Sequence, residues 1–122
     1  MEVRILQSVI LIGERLSLSK LQEAFSESPF KIVTVYNGER LSGVCSYGHI
    51  YLDDMTSYVP IEYEPEKLKF IHDSIQSPQF ISLCYSSKPV CIKALQTIST
   101  KIHNLLLDDD MGEIVSLTDS MK

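Results

Sequence analysis

The chain lacks most of the features that would disclose a function directly. No apolar run approaches the roughly 20 residues that a membrane span requires. It has no basic excess: 11 lysines and arginines stand against 16 acids, a formal charge of −5. Proteins that grip nucleic acid through its phosphates normally carry the opposite balance, so nucleic acid is not an expected partner. Cysteine is scarce. Cys45, Cys84 and Cys91 are odd in number and show no Cys-x-x-Cys spacing, which argues against a disulfide framework and a zinc site. They are expected as small buried hydrophobes in a reducing cytosol. No glycine-rich phosphate loop is present, because Gly38, Gly43 and Gly48 are too widely spaced for either nucleotide fingerprint.

What is there is ordinary globular material. A length of 122 residues, 44% hydrophobic and 22% charged, predicts one domain over 1–122 with a core of its own. The run Val9-Ile10-Leu11-Ile12 superficially resembles a signal peptide. It is preceded by Gln7 and Ser8, ends at Gly13-Glu14-Arg15 and has no small-residue cleavage site. It reads as a buried strand, and the expected location is cytoplasmic.

Periodicity supplies the elements. Val3 to Ile12 is a strand pattern. Ser17 or Ser19 can cap a helix, Ser19 with Gln22 fitting a capping box, and Leu18, Leu21 and Phe25 form its apolar stripe. Phe30 to Tyr36 reads as a strand, and Asn37-Gly38 as the tight turn that returns it near Glu39. In the returning segment, Gly43 and Gly48 suggest a bend or bulge before His49-Ile50-Tyr51-Leu52. A helix is predicted from Pro65, with Glu64 and Glu66 at its positive end and Leu68, Ile71, His72 and Ile75 inward. Phe80 to Tyr85 is a short strand. Pro89 opens a helix with the stripe Cys91, Ala94, Leu95, Ile98, Ile102 and Leu105. Leu105 to Leu107 and Ile114 to Leu117 suggest a terminal hairpin. The expected fold is α+β, a single mixed or antiparallel sheet with helices on one face. Its order, β-α-β-β-α-β-α-β, is related to the ferredoxin-like one.

Motifs for catalysis and metal binding are weak. Ser17-Leu18-Ser19-Lys20 matches Ser-x-x-Lys without any accompanying acyl-transfer signature, and its serines suit a helix cap. Asp108-Asp109-Asp110-Met111-Gly112-Glu113 departs from a calcium loop in the place of its glycine and in a missing ligand. His49, His72 and His103 lack metal-ligand spacing. The expectation is no enzyme, no cofactor and no metal.

Charge placement is more informative than net charge. Residues 41–66 contain no lysine or arginine, but hold Asp53, Asp54, Glu62, Glu64 and Glu66 with Tyr47, Tyr51, Tyr58 and Tyr63. Residues 102–121 are likewise free of both bases and hold Asp108, Asp109, Asp110, Glu113 and Asp119. Ten of the sixteen acids fall in these two windows, so the expected field is negative without internal neutralisation. Tyrosines beside carboxylates supply rigid amphipathic contact area. The candidate partner-binding residues are Tyr51, Asp53, Asp54, Tyr58, Glu62, Glu64, Asp108, Asp109, Asp110 and Glu113.

The C-terminal third runs Phe80-Ile81-Ser82-Leu83-Cys84-Tyr85, then Ala94-Leu95-Gln96-Thr97-Ile98, then Leu105-Leu106-Leu107 into the acidic turn and Ile114. This strand, amphipathic helix and acidic turn resemble small immunity proteins of bacterial toxin–immunity systems. The resemblance implies a cytoplasmic, non-catalytic protein that binds and neutralises a cognate toxin domain, frequently a nuclease, and the charge placement above adds the expectation that this partner is basic. The alternative is a small ferredoxin-like regulatory or ligand-sensing domain, with dimerisation through sheet or helix packing. It would require an apolar cleft in place of an acidic face.

Overall fold

Alternating apolar residues build one sheet whose two faces both acquire cover. The structure is a computed structural model and describes residues 7–58, 63–108 and 114–117. The strands are β1 (Gln7–Glu14), β2 (Lys31–Val35), β3 (Arg40–Cys45), β4 (Gly48–Asp54), β5 (Pro78–Tyr85), β6 (Leu106–Asp108) and β7 (Ile114–Ser116). The helices are α1 (Leu18–Ala24), α2 (Pro65–Ser74) and α3 (Lys88–Lys101). The sheet order is β2-β3-β4-β5-β1-β6-β7. All six described pairings are antiparallel.

The α+β class and the single sheet are as expected; the order differs. The segment after the Asn-Gly turn is two strands: β3 and β4 form a second hairpin closed at Cys45↔Gly48. Gly43 lies in regular register with Ile32 on one side and Ile50 on the other, without a bulge. A Cβ there would come within 2.6 Å of Ile32 and 2.9 Å of Ile50, so close packing explains this glycine. Gly38 is explained by its turn. Tyr36, Asn37 and Gly38 take φ values of 53°, 57° and 86° between Val35 and Arg40. No parallel strand pair of the kind a ferredoxin-like crossover contains occurs among the described strands.

The expectation of helices on one face also requires correction. Leu11, Leu41, Ile50, Leu52, Ile81, Leu83 and Leu107 point to one side and pack with Leu21, Phe25, Val90, Ala94, Leu95 and Ile98, from α1 and α3 or just beyond them. The alternate residues Ile12, Phe80 and Leu106 point to the other side, where Ile71 and Ile75 cover them. Strand side chains change face at every residue, so α2 lies across the opposite face from α1 and α3. Both faces of β5, β1 and β6 therefore carry buried apolar residues, with Ser82 and Asp108 as polar members of the one on the α2 side.

Local signals hold at the helix starts. Ser17, not Ser19, caps α1, its hydroxyl accepting from Lys20 N at 3.1 Å. Ser87 caps α3 in the same way, with Pro89 in the first turn. His72 is exposed on α2, whereas Ile71 and Ile75 are buried; its place on the inner face was an error of one helical step. Among the described residues no helix is long and apolar enough to cross a membrane.

Candidate functional site

Because α2 covers only part of its face, the outer side of β2, β3 and β4 stays open. This surface carries Val33, Val44, Ser42, His49 and Tyr51, with Val33 56% and Val44 38% exposed. At the end of the strands it meets the β2–β3 turn, the segment after β4 and the entry to α1. Together they form a cleft of about 970 Å³ whose walls include Ser17, Ser19, Tyr36, Glu39, Arg40, Asp53, Asp54, Thr56, Tyr58 and Ser82.

Arg40 forms its floor. Its Nε donates to Asp53 Oδ1 at 2.8 Å across the β3–β4 ladder, where the two residues are direct partners. The pair is partly shielded, with side-chain exposures of 35% and 22%. The guanidinium also lies over two aromatic rings, 5.2 Å from the centroid of Tyr51 and 5.3 Å from that of Tyr36, within cation–π range. Its hydrogen bond to Asp53 holds the Arg40 guanidinium above its ordinary pKa, the opposing effect of burial being smaller. Arg40 is therefore a fixed cation in an otherwise acidic setting.

Asp54 has a different role. Its Oδ1 accepts from Thr56 N at 3.0 Å and from Thr56 Oγ1 at 2.7 Å, closing a local turn. Thr56 Oγ1 in turn accepts from Phe80 N at 3.1 Å, while Met55 N donates to Phe80 O at 2.8 Å. This chain of bonds fixes the segment that bears Tyr58, whose ring is 66% exposed at the cleft wall.

The expected site residues separate accordingly. Tyr51, Asp53, Asp54 and Tyr58 come together at this end of the sheet. Asp53 and Asp108 occupy one cross-strand row, since Asp53 opposes Ser82, Ser82 opposes Ile10 and Ile10 opposes Asp108. Three strand spacings separate them, roughly 14 Å. One acid from each window, Asp53 and Asp108, thus lies on the same face of the sheet. Tyr63, from the first window, donates to Asp108 Oδ2 at 2.7 Å and packs on Phe80 at 5.8 Å, which links the windows directly. Glu64 is exposed at the N-cap of α2 without a side-chain capping bond. Glu62, Asp109, Asp110 and Glu113 lie outside the described residues.

One expectation is overturned here. The first window is not without neutralisation, because Arg40, one residue before it, pairs with Asp53. Sequence reasoning also missed Tyr36, Glu39 and Thr56. Arg40 was missed because its pairing depends on the turn at Ser46-Tyr47, which sets the register that puts residue 40 opposite 53.

The cysteines are free, with Cys91 buried and Cys45 and Cys84 half-buried. Burial pushes the Cys91 thiol up to about 11, against a smaller opposing effect of Lys88. No group of three or more His, Cys, Asp or Glu is placed to hold a metal among the described residues. No family model matches the chain, and comparison with curated proteins and with solved structures gives no match either.

Proposed function

We propose that the chain is a non-enzymatic binding protein, of the immunity type, which neutralises a basic toxin domain in the cytoplasm by covering it. The observation that carries this reading is the grouping of Tyr36, Tyr58, Glu39 and Asp54 around one cleft at the strand ends, whose wall also holds Asp53. Carboxylates at the rim of an interface raise the association rate with a basic partner. Exposed tyrosines anchored on rigid turns supply buried contact area at low entropic cost. The ligand-sensing alternative asks for an apolar cleft, and serine, threonine and charged side chains line much of this one.

The test is binding kinetics against the product of the neighbouring gene. Reversing the exposed Glu39 to lysine should slow association and flatten its dependence on salt, with Asp54 left in place because it holds Thr56. Tyr58→Ala should leave association unchanged and speed dissociation about tenfold or more. Asp53 is a poor choice for reversal, because it would strip Arg40 of its partner. Unchanged kinetics in both variants, with circular dichroism showing native folds, would remove this face from the interface.

A further inference from the structure

Arg40 is bound to the protein through one nitrogen only. A guanidinium offers five N–H donors in a planar fork. Nε is used on Asp53, in a single-point bond, and the four donors on the two Nη atoms have no acceptor among the described residues. The Tyr36 and Tyr51 rings lie within cation–π range of the group and leave those four donors without acceptors. Arg40 nevertheless lines the cleft, as do Glu39 and Asp54. Asp54 is engaged through Oδ1 alone, and the exposed Glu39 carboxylate has no hydrogen-bond partner among the described residues.

A partner that covers this cleft removes water from both signs of charge. A purely cationic surface would satisfy Asp54 and Glu39, but would leave four donors of a shielded guanidinium without acceptors, which is costly. It would also set cations against Arg40. Purely anionic surfaces make the reverse error. We propose that the cleft recognises a dipolar segment of its partner, which brings a carboxylate to the Nη edge of Arg40 and a neighbouring cation to Asp54 and Glu39. This rests on the protein-binding reading above and narrows its partner class. The basic surface must carry an acid at this point. Arg40 is then the specificity determinant: its fork donates two parallel bonds to a carboxylate, which lysine cannot do.

Three capped peptides test the proposal by NMR titration of the full chain: acetyl-Lys-Gly-Glu-amide, acetyl-Lys-Gly-Gln-amide and acetyl-Gln-Gly-Glu-amide. The readouts are the Arg40 Nε–Hε signal and the ring signals of Tyr36 and Tyr58. The dipolar peptide is expected to bind about tenfold more tightly than either single-charge peptide. In Arg40→Gln, the preference for glutamate over glutamine should vanish while the preference for lysine persists, an outcome that general unfolding would not give. Should Arg40→Gln fail to fold, the three peptides on the native chain still decide. Equal binding of the two lysine peptides would overturn the dipolar proposal and leave the acidic-face reading intact. Equal binding of the two glutamate peptides, or no saturable shift with any peptide, would overturn both.

Discussion

At the scale of single residues, neighbours decide what a charged or reactive group can do. Asp53 and Asp54 are adjacent in sequence, yet one is held by a guanidinium and the other by a threonine. The difference follows from strand alternation, which sends consecutive side chains to opposite faces until the strand ends. Composition and windowing could show that acids cluster. They could not show which acids are already engaged, because that depends on the β3–β4 register. Cys91 is similar: its placement on an apolar stripe was legible, but the size of its shift depends on packing under α3. The folded thiol has a pKa near 11, whereas the unfolded thiol sits near the ordinary 9. The raised folded value means that its contribution to stability is complete below pH 9 and is lost as pH climbs through about 11. Denaturant midpoints measured from pH 8 to 11 should therefore fall more steeply for the native sequence than for Cys91→Ala. Parallel curves would show that the thiol titrates equally in both states. Native-state thiol labelling should also modify Cys45 and Cys84 well before Cys91.

At the scale of elements, the strongest periodic signals proved the most legible. The stripe of α3 was readable because Cys91, Ala94, Leu95 and Ile98 recur at helical spacing, and all four are buried. Leu95→Ala or Ile98→Ala should cost about 2–5 kcal/mol in a denaturant melt, since each leaves a cavity against the sheet. A change within about 0.5 kcal/mol would mean that the core closes over the loss. The β2–β3 turn was equally visible in Asn37-Gly38. Gly38 adopts a φ of 86° with open space around it, so steric crowding is not its reason. Gly38→Val should lower the melting midpoint through backbone strain alone, while Gly38→Asn, which tolerates the left-handed region, should retain most of it. The second hairpin was missed because Ser46-Tyr47 is not a strong turn pair. Two serines outside it complete the turn: Ser87 Oγ donates to Tyr47 O at 2.9 Å, and Ser86 Oγ accepts from His49 N at 2.9 Å. A turn fixed by residues some 40 positions away leaves little local trace.

At the scale of the whole molecule, sheet order lies beyond what periodicity can specify. Each strand announces that it is a strand, and the unbroken apolar run Val9-Ile10-Leu11-Ile12 of β1 announces that both its faces are covered. Neither property says that β1 belongs between β5 and β6. The assignment of α2 to the opposite face was within reach, since Ile12 and Phe80 need a cover that α1 and α3 cannot provide. Asp53 and Asp108 come onto one face only when the sheet is complete, for the row between them crosses β5 and β1. That central position of the first described strand has a consequence for the birth of the protein. On the ribosome, β2, β3 and β4 can zip together as successive hairpins as soon as each emerges. β1 leaves earliest and must wait, apolar on both sides, until residues 78–85 and then 106–108 have been made. The nascent chain therefore carries an orphan strand until residues 78–85 have been made, a natural client for a holding chaperone. Hydrogen-exchange pulses on stalled chains should find β2–β4 protected early, and β1 only after β5 is free of the exit tunnel.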